Sequence, residues 1–285
     1  MGQSTMTLSE IHAIQMDMLR VLTMLCEQHG LKYYIVGGTL LGAIRHGGFI
    51  PWDDDVDIAM PRPDYDRLLD IASSVLPTYY AIIDYRVEPQ LPHVFAKLID
   101  RRTELWETGY RPACRPRIGV YVDIFPLDGV PKSAVMKWLH YGVVRTLRWL
   151  LVGFAVDADQ LESTWARLVA RLLQRVMTSR QVEALHRWLD RIMRWRPYSD
   201  SLEVCNYSGA WGRREFMPKA WFGEGRKVQF GELSVTGVAE FDAYLSRLYG
   251  DYRKLPPAEM RKPQHRFVVR RAGQSVDTMG GANEA

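Results

Sequence analysis

Four aspartates fall within five positions: Asp53, Asp54, Asp55 and Asp57. The last stands inside an apolar run, Val56-Asp57-Ile58-Ala59-Met60. No other feature restricts the possible folds as strongly. Successive side chains of a strand point to opposite faces. A strand that starts early enough therefore puts Asp53, Asp55 and Asp57 on one face and turns Val56 and Ile58 to the core. Like charges on one face repel, and a carboxylate inside an apolar strand is poorly solvated. A fold keeps such a set when a cation compensates it. Hard divalent ions bind through one or two carboxylates together with substrate phosphates. The plainer reading is an acidic turn with solvated carboxylates, and the position of Asp57 within the strand argues against it.

Upstream, the β-prone run Tyr33-Tyr34-Ile35-Val36 ends at Gly37-Gly38, and Thr39-Leu40-Leu41-Gly42-Ala43-Ile44-Arg45 reads as a short helix. Two glycines at a strand-to-helix turn let backbone N–H groups approach a phosphate. They also suit a tight turn that needs positive φ. Downstream, Asp123 interrupts the apolar strand Tyr121-Val122-Asp123-Ile124-Phe125 and needs a partner of its own. If that strand lies beside the one holding Asp57, three carboxylates converge. Asp128, in Leu127-Asp128-Gly129, reads as a turn residue.

Lys97 sits within Phe95-Ala96-Lys97-Leu98-Ile99 and has two readings, a phosphate partner or a lysine guarding an edge strand. Arg45 and His46 are phosphate partners or an ordinary helix end. Among the aromatics, Tyr121 and Phe125 read as core. Trp52, next to the acids, is better placed to present its face to a bound ligand.

The remaining chain supplies the frame. Thr7-Leu8-Ser9-Glu10 has capping-box spacing and opens an amphipathic helix that stops near Gly30. Pro63, Asp64 and Asp66 fit the first turn of a helix after the acidic strand. Residues 79–85, 94–99 and 120–125 are further strand candidates. The first 130 residues thus combine helices with a mixed sheet of about five strands, an α+β pattern. Residues 131–196 are helical and basic, with twelve Lys and Arg against five acids. A hairpin around Gly231-Glu232 and a helix through Phe241, Tyr244, Leu245 and Leu248 follow. The expected organisation is a catalytic core over residues 1–130, a basic amphipathic helical insertion over 131–200, a segment completing the core over 201–270, and a frayed polar tail over 271–285.

The whole chain has 37 basic and 33 acidic residues, a net charge of +4. With 47% hydrophobic residues, that balance excludes a mainly disordered chain and argues against a dedicated nucleic-acid binder. Cys26, Cys114 and Cys205 lack disulfide or zinc-site spacing and read as buried thiols of a reducing compartment. His265 likewise lacks ligand spacing. Residues 1–10 carry no apolar leader, and Arg145 and Arg148 interrupt the most apolar stretch. The expectation is a cytoplasmic protein, with two readings of its basic helices: a solvated face, or a peripheral contact at the inner face of the membrane.

The string Gly37-Gly38-Thr39-Leu40-Leu41-Gly42-Ala43-Ile44-Arg45, followed by Gly48-Phe49-Ile50-Pro51-Trp52-Asp53-Asp54-Asp55-Val56-Asp57-Ile58, resembles the LicD family. That family belongs to the nucleotidyltransferase (polymerase β-like) superfamily and includes bacterial phosphorylcholine transferases and eukaryotic fukutin-like proteins. Val122-Asp123-Ile124-Phe125-Pro126-Leu127-Asp128-Gly129 and Tyr249-Gly250-Asp251-Tyr252 match its pattern too. The basic helical block matches nothing in it.

The resemblance implies a nucleotidyltransferase core that moves a phospho-alcohol from a CDP-linked donor, CDP-choline above all, to a sugar hydroxyl and releases CMP. The acceptor would be a glycan or lipid-linked glycan. Mg²⁺, replaceable by Mn²⁺, would be held by Asp55 and Asp57 with Asp53 nearby. Asp123 would complete the metal site or accept the acceptor's proton. Gly37, Gly38 and Thr39 would cradle the donor phosphates, with Arg45, Lys97 and Trp52 as further substrate contacts. Two alternatives stand beside this reading. One keeps the fold but transfers a nucleotide from an NTP. The other is a non-catalytic module that docks its basic helices on an anionic membrane or a partner.

Overall fold

The computed structural model describes residues 5–116, 118–263 and 267–272. Helix α1 (Leu8–Gln28) begins with a complete capping box. The Thr7 hydroxyl accepts the Glu10 N–H, and the Glu10 carboxylate accepts the Thr7 N–H at 2.8 Å. Its apolar face, with Met18, Leu19, Leu22 and Cys26 fully buried, lies across a central mixed sheet.

The sheet is assembled from β1 (Tyr34–Ile35), β2 (Asp57–Pro61), β3 (Tyr80–Ile83), β4 (Ala96–Asp100), β6 (Tyr121–Gly129), β9 (Arg226–Phe230) and β10 (Leu233–Gly237). Their spatial order is β3-β4-β6-β2-β1-β10-β9. The pairs β2·β6 and β1·β10 are parallel, and the other pairs along this path are antiparallel. Helices α2 (Gly37–His46), α3 (Arg62–Val75) and α7 (Phe241–Tyr249) flank it with α1. Strands β7 (Glu203–Cys205) and β8 (Phe216–Pro218) extend the sheet from the end of β6. The α/β composition with a mixed sheet is as the sequence suggests. A separate ribbon of β5 (Thr103–Glu107) and β11 (Phe267–Arg271) was not expected.

Several local expectations change. Strand β2 starts at Asp57, so Asp53, Asp54 and Asp55 sit on the preceding turn and not on the strand face. Asp128 is no turn residue. Strand β6 runs on to Gly129 with all nine residues buried, and the Asp128 carboxylate accepts two bonds from the Arg62 guanidinium, at 2.7 and 2.6 Å. Lys97 guards no edge, because β4 lies between β3 and β6. Arg271 belongs to β11 and not to a frayed tail. His265 and residues 273–285 lie outside the described residues.

The basic segment forms three helices, α4 (Ala134–Ala155), α5 (Thr164–Val176) and α6 (Ser179–Met193). Ser133, Ser163 and Thr178 cap them in turn, each accepting a backbone N–H of the first turn. Helix α4 packs on both others and joins a second apolar core around Val144, Leu151, Leu189, Met193, Tyr207 and Phe216. Arg62 ties this block to the sheet. Besides Asp128, its guanidinium reaches Asp190 of α6 at 3.2 Å. Among the described residues, no helix is long and apolar enough to cross a membrane. All three cysteines are free and buried.

Candidate active site

Three neighbouring strands put charged residues in one row. Lys97 of β4 stands opposite Asp123 of β6, and Asp123 stands beside Asp57 of β2. Side chains at paired positions of a sheet share a face, so the row is a direct product of register. The Lys97 ammonium donates to Asp123 Oδ1 at 2.7 Å and lies 3.5 Å from the centre of the Tyr121 ring. Lys97 is 1% exposed. Burial pushes the Asp57 carboxyl well above the usual carboxylate range, and the charges of Asp55, Asp123 and Asp53 add to the shift. Lys97 opposes it only in part. The site therefore holds more negative charge than its own cation offsets, which favours a bound cation.

Helix α1 fixes the acidic turn from below. His12 Nε2 is 2.7 Å from the Asp53 carbonyl, and the His12 ring stacks on Phe49 at 4.0 Å. The Gln15 amide donates to the carbonyls of Asp54 at 3.0 Å and Tyr121 at 3.3 Å. Two overlapping acidic groups result. Carboxylate oxygens of Asp53, Asp54 and Asp55 approach within 4.8 Å of one another. Asp53, Asp55, Asp57 and Asp123 instead share the wall of an open cleft, which Asp54 does not line. The second group is the one a substrate-borne phosphate can meet.

The glycines at the start of α2 are shaped by these acids. Gly37 has φ +55°, and a Cβ on it would stand 2.8 Å from Asp57 Oδ2. A Cβ on Gly38 would stand 2.6 Å from Asp53 Oδ2. Their missing side chains thus make room for carboxylates, and the positive end of the α2 dipole faces the same acids. The Thr39 hydroxyl accepts the Asp57 N–H at 2.8 Å, bracing the start of β2.

The cleft has a volume of about 630 Å³. Of the residues singled out from the sequence, it brings together Gly37, Gly38, Arg45, Trp52, Asp53, Asp55, Asp57 and Asp123. Thr39 and Lys97 lie behind the lining and act on it through Asp57 and Asp123. Arg45 donates to the carbonyls of Tyr252 at 2.9 Å and Lys254 at 3.1 Å, and so tethers the opposite wall. Trp52 forms an edge contact with His46 at 6.1 Å and lies 5.8 Å from the Arg261 guanidinium. Phe125 and Phe95, in contact at 4.5 Å, also line the cleft, whereas Tyr121 underlies Lys97.

The far wall was visible in the sequence only at Tyr249-Gly250-Asp251-Tyr252. It comprises Asn206, Ser208, Trp211, Glu215, Tyr244 and Tyr249, with neighbouring loop residues. Tyr244 fell within a recognised helical pattern, but nothing in that pattern marked it as facing a site. Glu215 sits in a short 3₁₀ turn, Gly212–Glu215, that carries no motif.

Comparison with known proteins bears on this arrangement. Residues 30–143 match the family model described as LicD/FKTN/FKRP, nucleotidyltransferase domain. That stretch holds the glycine turn, the acidic turn, Lys97 and Asp123. The lipopolysaccharide cholinephosphotransferase LicD of Haemophilus influenzae is 28% identical over 268 residues, which is 91% of this chain and 96% of that protein. The ribitol 5-phosphate transferases FKRP of Mus musculus and Homo sapiens are each 49% identical over 123 residues, 40% of this chain and 21% of their own length. The far wall, Glu215 included, lies outside the family-matched stretch.

Proposed function

We propose, on the premise that this chain belongs to the LicD/fukutin-related family, that it is a phosphotransferase acting on glycans. It takes a phospho-alcohol from a CDP-linked donor, phosphocholine first among them, and delivers it to a sugar hydroxyl with release of CMP. On this reading, the sheet with α2 and α3 is a nucleotidyltransferase-type core. The observation that carries the proposal is the Lys97–Asp123–Asp57 row, whose two acids open with Asp53 and Asp55 into a single cleft.

The donor set suits Mg²⁺, with Mn²⁺ as a substitute. It consists of hard carboxylate oxygens, and the raised Asp57 carboxyl signals an uncompensated negative site. Asp53, Asp55 and Asp57 would hold the ion. Bound there, it would neutralise charge on the donor's phosphate oxygens. The chain's own residues do the rest. The first turn of α2, at Gly38, meets the donor phosphates with backbone N–H groups. Asp123 keeps Oδ1 on Lys97 and takes the acceptor hydroxyl proton at its second oxygen. Such general-base help contributes roughly 10²–10⁴-fold. The hydroxyl oxygen bonds to the phosphorus bearing the alcohol, the bridging P–O bond breaks, and CMP leaves with that electron pair.

The test measures CMP released from CDP-choline, CDP-ribitol and CDP-glycerol with Mg²⁺ and a glycan acceptor. CMP release that is lost in Asp57→Asn and Asp123→Asn supports the reading. A folded protein that consumes none of a panel of CDP-alcohols defeats it. Pyrophosphate release from an NTP would instead favour nucleotide transfer.

A further inference from the structure

The far wall of the cleft carries an acid that the reaction above leaves unused. Glu215 is 7% exposed and lines the same cleft as Asp57. Its Oε1 accepts the Trp211 N–H at 3.2 Å, and it lies against Gly209 so closely that a Cβ there has no room. Arg148 is the cation that opposes its desolvation, but that guanidinium donates to the carbonyls of Tyr207 and Ser208. Among the described residues no ion pair holds Glu215, although an anion so placed calls for one. Of the aromatic residues that line the cleft, Trp211, Tyr244 and Tyr249 share this far wall with it. The Trp211 and Tyr249 rings meet nearly edge to face, with centroids 4.7 Å apart. A buried carboxylate among aromatic rings suits a cation that donates no hydrogen bonds and interacts through charge and ring faces. A neutral polyol would bring no charge to compensate it.

We propose that Glu215, with Trp211, Tyr244 and Tyr249, forms a subsite for a quaternary ammonium headgroup, so that the donor's alcohol is an aminoalcohol and not a polyol. This rests on the phosphotransferase reading for its place in the reaction, but binding can be tested separately. The variant Glu215→Gln keeps the acceptor for the Trp211 N–H and removes the charge. It should raise KM for CDP-choline about tenfold or more with kcat little changed, and leave CDP-ribitol and CDP-glycerol unaffected. Free choline should raise the melting temperature of the wild type and not of the variant. Should Glu215→Gln fail to fold, Trp211→Leu provides the same comparison. Equal effects on all donors, or the same choline shift in the variant as in the wild type, would overturn the subsite. If no CDP-alcohol turns over, the transferase reading falls, and the choline shift still decides the subsite.

A second surface carries an independent inference. On α5, Trp165, Leu168, Leu172 and Val176 form one stripe at helical spacing, 72%, 59%, 57% and 57% exposed. Arg171 and Arg175 border it, Arg171 sharing its charge with Asp159 at 2.6 Å. The surrounding block has a surplus of seven positive charges. We infer that this face docks on an anionic lipid surface, since a second copy would oppose it with the same charge. The full chain should sediment with phosphatidylcholine vesicles containing phosphatidylglycerol at low salt. Binding should be lost on pure phosphatidylcholine, at high salt and in Leu168→Glu/Leu172→Glu. No binding at low salt overturns the inference, as does a dimer in solution that the same double variant dissolves.

Discussion

Asp57 is where stability and chemistry pull apart. Its ionised form is penalised by burial and by three neighbouring acids, so the protein alone would be better served by a neutral group. Asp57→Asn should therefore unfold no earlier than the wild type on heating without added metal. Its transfer rate should fall by on the order of 10²–10³ or more, as when one charge-stabilising group is removed from a reaction centre. Glu215 makes a similar point with a pH axis. Burial raises its carboxyl to about 7. The folded state thus binds more protons than the unfolded one between the ordinary carboxyl value and about pH 7, and stability is lost as pH rises through that window. Glu215→Gln should remove this loss, gaining on the order of 3 kcal/mol at most at pH 8 and nothing at pH 4. Melting curves of both proteins across pH 4–8 would check it, and a flat difference would contradict the assignment. Lys97 is the reverse case. Lys97→Met leaves Asp123 buried without its partner, and should cost about 3–5 kcal/mol in chemical denaturation.

At the scale of elements, the turn into α2 shows how a local rule is overridden. Alanine is a better helix former than glycine by roughly 1 kcal/mol, so Gly38→Ala ought to stabilise α2. Here the added Cβ would meet Asp53 Oδ2 at 2.6 Å. The expected outcome is a less stable protein with weakened transfer, seen together in melting and CMP-release assays. The elements themselves were largely legible. The capping box of α1, the glycine turn, the acidic strand and the basic helices each carry a local signal. Their long-range partners do not. Leu127-Asp128-Gly129 looks like a turn over three residues, but the distant strand β7 pairs Asp128 with Cys205, and Arg62 satisfies its buried carboxylate. Lys97 reads as an edge lysine until β3 is seen outside it. Asp57 and Asp123 were both suspect as acids in apolar strands, but no single-strand pattern contains the register that sets them side by side. Glu215 left no trace, because a lone acid in a short turn is ordinary until its burial is known.

Across the whole molecule, Arg62 is the joint. It stands at the start of α3, grips Asp128 at the end of β6 and reaches Asp190 on α6. Arg62→Leu strands the buried Asp128 and leaves Asp190 to Arg194 and Tyr85 alone. We expect it to destabilise the chain by about 3–5 kcal/mol. Hydrogen exchange should show α6 losing protection before the central strands do, and uniform loss across the protein would argue that the helices and sheet open as one unit. The cleft is shared across the chain in the same manner. Its acids and glycine turn come from the first half, while Arg45 holds a wall drawn from Tyr252 and Lys254. The two-residue strand β1 waits for β10, which completes the sheet beside it. On the ribosome, the acids are made first and the wall last. A nascent chain released midway would carry the glycine turn and the cleft's acids from Asp53 to Asp123 and still lack the wall that faces them. On the proposed reading, activity would wait until Lys254 has been made.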